Sequence, residues 1–196
     1  MGNYYNEKAK EFFEGTAYVD MSRQYKDFLA NLPEGGFILD AGCGSGRDSL
    51  FFKKLGYQVV AMDGSIEMCK LASEYIGQEV VFSRFQEVDV KKLTDGQHLF
   101  DGIWASASLL HVPSSEIEGV LSKLKDALKQ DGIFYASFKY GDFEGERNGR
   151  YFYDLKEDTA RVLFTKVGFK VEKMWITGDV REGRGDETWV NILVRK

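Results

Sequence analysis

"ILDAGCGSGRDS", residues 38–49, places Gly42, Gly44 and Gly46 within five positions, directly after an apolar run. Glycine loses more backbone freedom on folding than any other residue. Three in one turn therefore mark a place where φ must be positive or where a ligand meets bare backbone. The preceding "GFILDA" (36–41) is nearly all apolar and reads as a strand buried on both faces. The following "RDSLFFKKLG" (47–56) reads as a helix, with Leu50, Phe51 and Leu55 at core spacing and Gly56 as its stop. Strand, glycine turn and helix together form the first unit of an open parallel sheet. In such sheets ligands gather beyond the carboxyl ends of the strands.

The alternation continues outward from this unit. "YQVVAMD" (57–63), "EVVFSR" (79–84), "FDGIWAS" (100–106) and "IFYASFK" (133–139) read as further strands. Between them lie "SIEMCKLASEYIG" (65–77), a helix that Ser65 caps and Gly77 ends, and "SEIEGVLSKLKDALKQDG" (115–132). The second of these is amphipathic, with Ile117, Val120, Leu121, Leu124 and Leu128 on one face and Gly132 past its end. A polar, glycine-rich stretch, "YGDFEGERNGR" (140–150), breaks the pattern and is long for a connection, which points to function. A helix (155–168) then leads to strands at 169–177 and 187–196, joined by "GDVREGRGD", a hairpin loop. The pattern predicts an α/β, doubly wound, mostly parallel sheet. It forms one domain: a helical cap over residues 1–35, built from "EKAKEFFE" and "MSRQYKDFLANL" and lying across the top of the sheet, a core over 36–140, and an acceptor-side segment over 141–196.

Composition sets the outer bounds. The chain has 196 residues, 43% hydrophobic and 14% aromatic, enough for a sizeable core and far from a disordered composition. With 26 basic against 31 acidic side chains the net charge is −5, which argues against a surface built throughout for nucleic acid. Two cysteines, Cys43 and Cys69, with no Cys-x-x-Cys pair support neither a disulfide framework nor a zinc site, and a reducing cytoplasm is the expected location. The start "MGNYYNEKAKEFFEG" does not read as a signal peptide, and no apolar stretch is long enough for a membrane span.

The second strand ends on Asp63, where a carboxylate can take both hydroxyls of a ribose. With the glycine turn this predicts a nucleoside-containing cofactor. The dinucleotide fingerprint is Gly-x-Gly-x-x-Gly, whereas here the spacing is Gly-x-Gly-x-Gly with Arg47 in the last glycine's place. Asp40, two residues before the first glycine, opposes a pyrophosphate but suits a ligand carrying an ammonium and a sulfonium.

"LDAGCGSGRDS", "VVAMDGS" and "FDGIWASASLLHV" together resemble the class I, Rossmann-like methyltransferases that use S-adenosylmethionine (SAM). The resemblance covers about residues 36–140 and extends to the final hairpin. It implies a sheet of seven strands in the order 3-2-1-4-5-7-6 with strand 7 antiparallel, SAM as cofactor with S-adenosylhomocysteine (SAH) as product, and no metal. Carried onto this chain, it places Asp40, Gly42 and Gly44 at the methionine end, Asp63 at the ribose, and Gly64, Ser65 and Met68 beside the adenosine. Phe85 and Gln86 flank the adenine, where Arg84 replaces an acid the family often has. Ala105 and Ser106 line the reactive side. Cys43 is a small residue suited to the tight turn, and Arg47, a cation opposing the dipole of the helix it opens, is expected to contact the cofactor carboxylate.

The acceptor side is sketched by fewer residues. His111, just past the fourth strand, is a candidate general base; its alternative is a histidine that bonds the cap. His98 is expected in solvent. Arg147, Arg150, Arg181 and Arg184 are expected to converge on the mouth and suit a carboxylate or phosphate; the alternative is loop charge offset by Asp142, Glu144, Glu146 and Glu182. Tyr4, Tyr5 and Tyr18 belong to a lid, with Tyr18 on the acceptor side. The fourth strand is not followed by an Asn/Asp-Pro-Pro-aromatic stretch, and the chain has no Pro-Cys pair and no acid-rich metal cluster there. These absences turn the reading from base-amino, cytosine-carbon and magnesium-dependent catechol chemistry towards a small-molecule acceptor. Two alternatives stay open. The ending "GRYFYDL…TWVNILVRK" resembles enzymes that methylate carboxymethyl groups on tRNA wobble uridines, which would need a partner to supply basic surface. A SAM-binding protein without an acceptor site is the other.

Overall fold

The computed structural model describes residues 2–94, 96, 99–181, 183, 184 and 186–196, with backbone alone at Gly2 and Asn3. His98 and Glu182, named above, lie outside the described residues. Strands β1 (Phe37–Ala41), β2 (Gln58–Asp63), β3 (Val80–Phe82), β4 (Phe100–Ala105), β5 (Leu128–Lys139), β8 (Lys170–Gly178) and β9 (Thr188–Arg195) form one sheet in the order β3-β2-β1-β4-β5-β9-β8. All neighbours are parallel except those of β9, which runs antiparallel between β5 and β8. Numbering the seven by their place in the chain gives the expected 3-2-1-4-5-7-6.

Alternation of side chains along the strands sorts the core into two layers. Ile38, Trp104, Ile133, Tyr135 and Leu193 face one side with Tyr25 and Phe28 of α3 (Ser22–Leu29) and Phe52 of α4 (Arg47–Lys54). Leu39, Ile103, Phe134, Ala136 and Val190 face the other, covered by α7 (Ser114–Ala127) and α8 (Glu157–Lys166). Trp104 stacks on Tyr135 with ring centroids 3.8 Å apart. Helix α5 (Ile66–Ile76) begins and ends as expected: Ser65 Oγ accepts the Met68 N–H at 3.2 Å, and Gly77 closes it in the left-handed conformation.

Three expectations are corrected. Only α1 (Gly2–Glu7) and α2 (Ala9–Thr16) lie over the top; α3 packs on the sheet face, so close that a Cβ at Gly102 would stand 2.7 Å from the Phe28 ring. Helix α7 stops at Ala127 rather than near Gly132, because Leu128 already pairs with Phe100. Residues 129–132 then bulge before Ile133 resumes pairing opposite Gly102, and Gly132 serves that bulge, where a Cβ would lie 2.9 Å from the Lys129 carbonyl. The glycine-rich stretch is partly ordered as a hairpin, β6 (Glu144–Arg147) with β7 (Arg150–Tyr153). Its turn, Asn148-Gly149 at φ 52° and 74°, is the two-residue type that fits strand twist. No helix among the described residues is long and apolar enough to cross a membrane.

Candidate active site

The glycine loop after β1 stands between two cavities at the carboxyl edge of the sheet. The smaller, about 450 Å³, is bordered by Asp63, Gly64, Ser65, Met68, Arg84, Phe85 and Gln86. The larger, about 740 Å³, is bordered by Cys43, Arg47, Asp48, Ser106, Ser137 and Asn191, among others. Tyr5, Phe12, Gly42, Gly44, Ala107 and His111 border both and mark where the two spaces adjoin.

Each loop glycine has its own reason. All three take positive φ, 79°, 54° and 78° in chain order. A Cβ on Gly42 would stand 2.5 Å from that of Ser108, whose hydroxyl donates to the Ala41 carbonyl at 2.7 Å. On Gly46 it would meet Ile76 at 2.9 Å. On Gly44 the nearest atom is a Phe12 ring carbon at 3.5 Å, so Gly44 turns its open side to the cavities. The Gly42 and Cys43 N–H groups both donate to the Met62 carbonyl at 2.9 Å, which ties the loop to β2.

Asp63 ends β2 on the floor of the smaller cavity. Its two oxygens accept the N–H groups of Gly44 and Ser65, each at 2.9 Å, while burial raises its pKa above the usual carboxylate range. One carboxylate thus joins the glycine loop to the start of α5. From the cap, Asn6 Oδ1 accepts the Ser65 hydroxyl at 2.7 Å and closes that cavity from above.

Several expected cofactor residues lie elsewhere. Asp40 shares the Ile38 face of β1 and points under α4, where it accepts the Ser49 hydroxyl at 2.6 Å. It borders neither cavity, and burial, with Asp48 nearby, pushes it up to about 8. Ala105 is wholly buried in the core, leaving Ser106 to reach the larger cavity. Arg47 borders that cavity, but its guanidinium is forked onto Asp48, at 2.6 and 3.0 Å. Asp48 also accepts Tyr25 Oη at 2.6 Å and Trp104 Nε1 at 2.7 Å, so the pair is neutralised within the fold. Burial drives the Cys43 thiol well up, as its role as a small turn residue requires.

His111 sits at the junction. Its Nδ1 lies 2.6 Å from the Tyr151 carbonyl oxygen, which can only accept, so Nδ1 carries the proton. Nε2 is then the acceptor for Tyr5 Oη at 2.7 Å. Burial pushes the imidazole down to about 4, with the Arg150 charge adding to the effect, so it is neutral at neutral pH. Arg147, Arg150, Arg181 and Arg184 all border the larger cavity. Tyr18 is not with them; it is 77% exposed and meets only the edge of Tyr75.

The floor of the larger cavity escaped the sequence reading. Tyr135 donates to Asn191 Oδ1 at 2.6 Å, and Ser137 Oγ accepts the Ala107 N–H at 2.8 Å. Buried polar side chains in otherwise apolar strands were the available signal. Among the described residues no group of three or more His, Cys, Asp or Glu could hold a metal ion.

A family model described as "Methyltransferase domain" matches residues 38–132, from β1 through the fourth crossover. The chain is 26% identical to a sterol 24-C-methyltransferase of Kluyveromyces lactis over 82% of its own length and 48% of that protein's. It thus spans about half the length of that relative. It is 27% identical to an uncharacterized methyltransferase of Staphylococcus carnosus, over 79% of this chain and 76% of that one. Among solved structures, a Burkholderia thailandensis 1,6-didemethyltoxoflavin-N1-methyltransferase, with its namesake ligand and SAH bound, superposes with a TM-score of 0.75 at 22% identity, covering 98% of this chain and 84% of that one. Strand order, glycine loop and the Asp63 carboxylate converge with the family model over residues 38–132, just under half of the chain: the chain has the class I, Rossmann-like methyltransferase fold and carries a stretch that matches a methyltransferase domain.

Proposed function

We propose that the chain moves the methyl group of SAM to a polar small molecule held in the larger cavity. The observation that carries this reading is the Asp63 carboxylate, fixed by the N–H groups of Gly44 and Ser65 on the floor of a cavity that adjoins a larger one. Asp63, Gly64, Ser65, Met68, Phe85 and Gln86 would hold the adenosine, and Gly42, Cys43, Gly44 and Ser106 the methionine end. When bound, SAM supplies a methyl group on a sulfonium, already activated for displacement by a nucleophile. The work left to the protein is to position the acceptor, exclude water and receive a proton.

The junction residues divide that work. Tyr5 and Phe12 close both cavities from above. His111, neutral and with its tautomer set by Tyr151, offers Nε2 as a proton acceptor beside the Tyr5 hydroxyl. The larger cavity is bordered by Arg, Lys, Asp, Asn, Ser and Thr side chains. Phe12, Met21, Leu110, Phe152, Val180 and Trp189 also border it, but the charged and amide groups among them suit a polar acceptor better than a sterol, so the acceptor of the Kluyveromyces lactis relative is not carried over.

Calorimetry with SAH, and with NAD as the contrast, tests the reading. SAH should bind, and Asp63→Ala, which removes two hydrogen bonds to a charged acceptor, should weaken it by about tenfold to a hundredfold. Heat with NAD and none with SAH would refute it.

A further inference from the structure

Among the described residues six cations border the larger cavity, and five of them lie against four carboxylates. Arg47 is forked onto Asp48; Arg147 holds Asp154 at 2.5 and 2.7 Å; Arg181 holds Asp179 at 2.5 and 2.9 Å. Lys139 pairs with Glu187, and Arg184 reaches the other oxygen of that carboxylate at 3.7 Å. Arg150 is the exception. No carboxylate among the described residues pairs with it; its buried Nε, like that of Arg147, has no hydrogen-bond partner there. Among the described residues its side chain makes one hydrogen bond, from Nη1 to Tyr5 Oη at 3.4 Å.

The fold nevertheless holds this guanidinium in place. Its centre lies 4.8 Å from the ring centroid of Tyr4, 5.0 Å from Phe152 and 6.0 Å from Tyr5. Aromatic faces attract a cation without neutralising it. A part-buried arginine lacking a counter-charge contributes little to the folded chain and keeps its charge free for a ligand. A planar fork of N–H donors in that condition matches an oxyanion. Arg150 also borders a third cavity of about 580 Å³ between α1, α2 and the β8–β9 connection, so it stands on the route inward as well as on the inner wall.

Its neighbours tie the charge to the reacting junction. Tyr5 Oη accepts from Arg150 and donates to His111 Nε2, so an anion on the guanidinium is one hydroxyl away from the proton acceptor. We propose that the methyl acceptor is a small oxyanion, bearing a carboxylate or phosphate that pairs with Arg150, and that this pairing sets its nucleophile beside Tyr5 and His111. The proposal rests on the methyl-transfer reading and narrows its acceptor. It also replaces the expected convergence of four equivalent arginines by one anchoring arginine, two forked onto carboxylates of their own and one, Arg184, sharing Glu187 with Lys139.

The test is calorimetric titration of the SAH-loaded protein with inorganic phosphate and, separately, with acetate, for wild type, Arg150→Met and Arg150→Lys. Wild type should bind at least one of the two saturably, and which one distinguishes phosphate from carboxylate. Arg150→Met should weaken that binding by roughly tenfold to a hundredfold, at the low end of what unpairing a buried charge does because Arg150 is only part-buried. Arg150→Lys, which keeps the charge and loses the fork, should fall between, and all three proteins should bind SAH equally. Saturable binding by neither anion, or Arg150→Met binding like wild type, would overturn the proposal. If Arg150→Met lost SAH as well, wild type against Arg150→Lys would decide, and equal anion affinity would count against it. If wild type failed to bind SAH, the methyl-transfer reading would fall, while the same titration of unloaded protein would still decide the anion site.

Discussion

Acidification should remove about 3 kcal/mol of folding stability through His111 alone. In the unfolded chain this imidazole takes a proton near its ordinary 6.5, whereas in the fold burial first, and the Arg150 charge second, hold it down to about 4. The unfolded state therefore binds the proton more readily. His111's contribution is complete above pH 6.5 and is lost as pH falls towards 4. Protonation would also convert Nε2 from acceptor to donor and break the Tyr5 bond that holds α1 over both cavities. His111→Gln supplies a neutral comparison, since an amide can offer N–H to the Tyr151 carbonyl and oxygen to Tyr5. Urea unfolding of both proteins between about pH 7 and pH 4 should show wild type losing about 3 kcal/mol relative to the variant, most of it below pH 6.5. Parallel losses in the two proteins would refute the reasoning and place His111 in contact with solvent.

The loop glycines should separate. Gly42→Ala, which forces a Cβ against Ser108, should cost about 2 kcal/mol or more in chemical denaturation. Gly44→Ala should cost only about 1 kcal/mol, for its positive φ, and its larger effect should appear in SAH affinity. Asp48→Asn leaves Arg47 buried and unpaired, and should cost about 3–5 kcal/mol, read as a lowered urea midpoint with an unchanged slope.

What could be read from the sequence was what local chemistry decides. Apolar runs of strand length, the Ser65 cap, the Gly77 stop and the glycine turn each carry their signal within a few residues, and the sheet order follows once the family is recognised. The end of α7 was missed because Leu128 satisfies a helical face and a strand pairing with Phe100 equally well, and only the neighbouring strand decides between them. The β6–β7 hairpin carried the signal Asn148-Gly149, but β6, Glu-Gly-Glu-Arg, has no apolar residue to mark it as a strand, which masked it. Asp40 was assigned by its distance from the glycines, although its period-two partnership with Ile38 already turned it towards the core. The arginines show where sequence stops: Asp154, Asp179 and Glu187 are near in the chain, yet which guanidinium each takes, and that none takes Arg150, is settled only in space.

The ties that hold the glycine loop have a thermodynamic consequence. Two N–H groups on the Met62 carbonyl, the Gly46 N–H on the Cys43 carbonyl and the Ser108 hydroxyl on Ala41 fix the turn by protein contacts alone. A loop already in shape has no conformational entropy left to lose when a ligand arrives. The cost of ordering the cradle is then met in folding and not in binding. Any rearrangement on binding is then expected in the cap, where Tyr5 and Phe12 border both cavities, and not in the cradle beneath it.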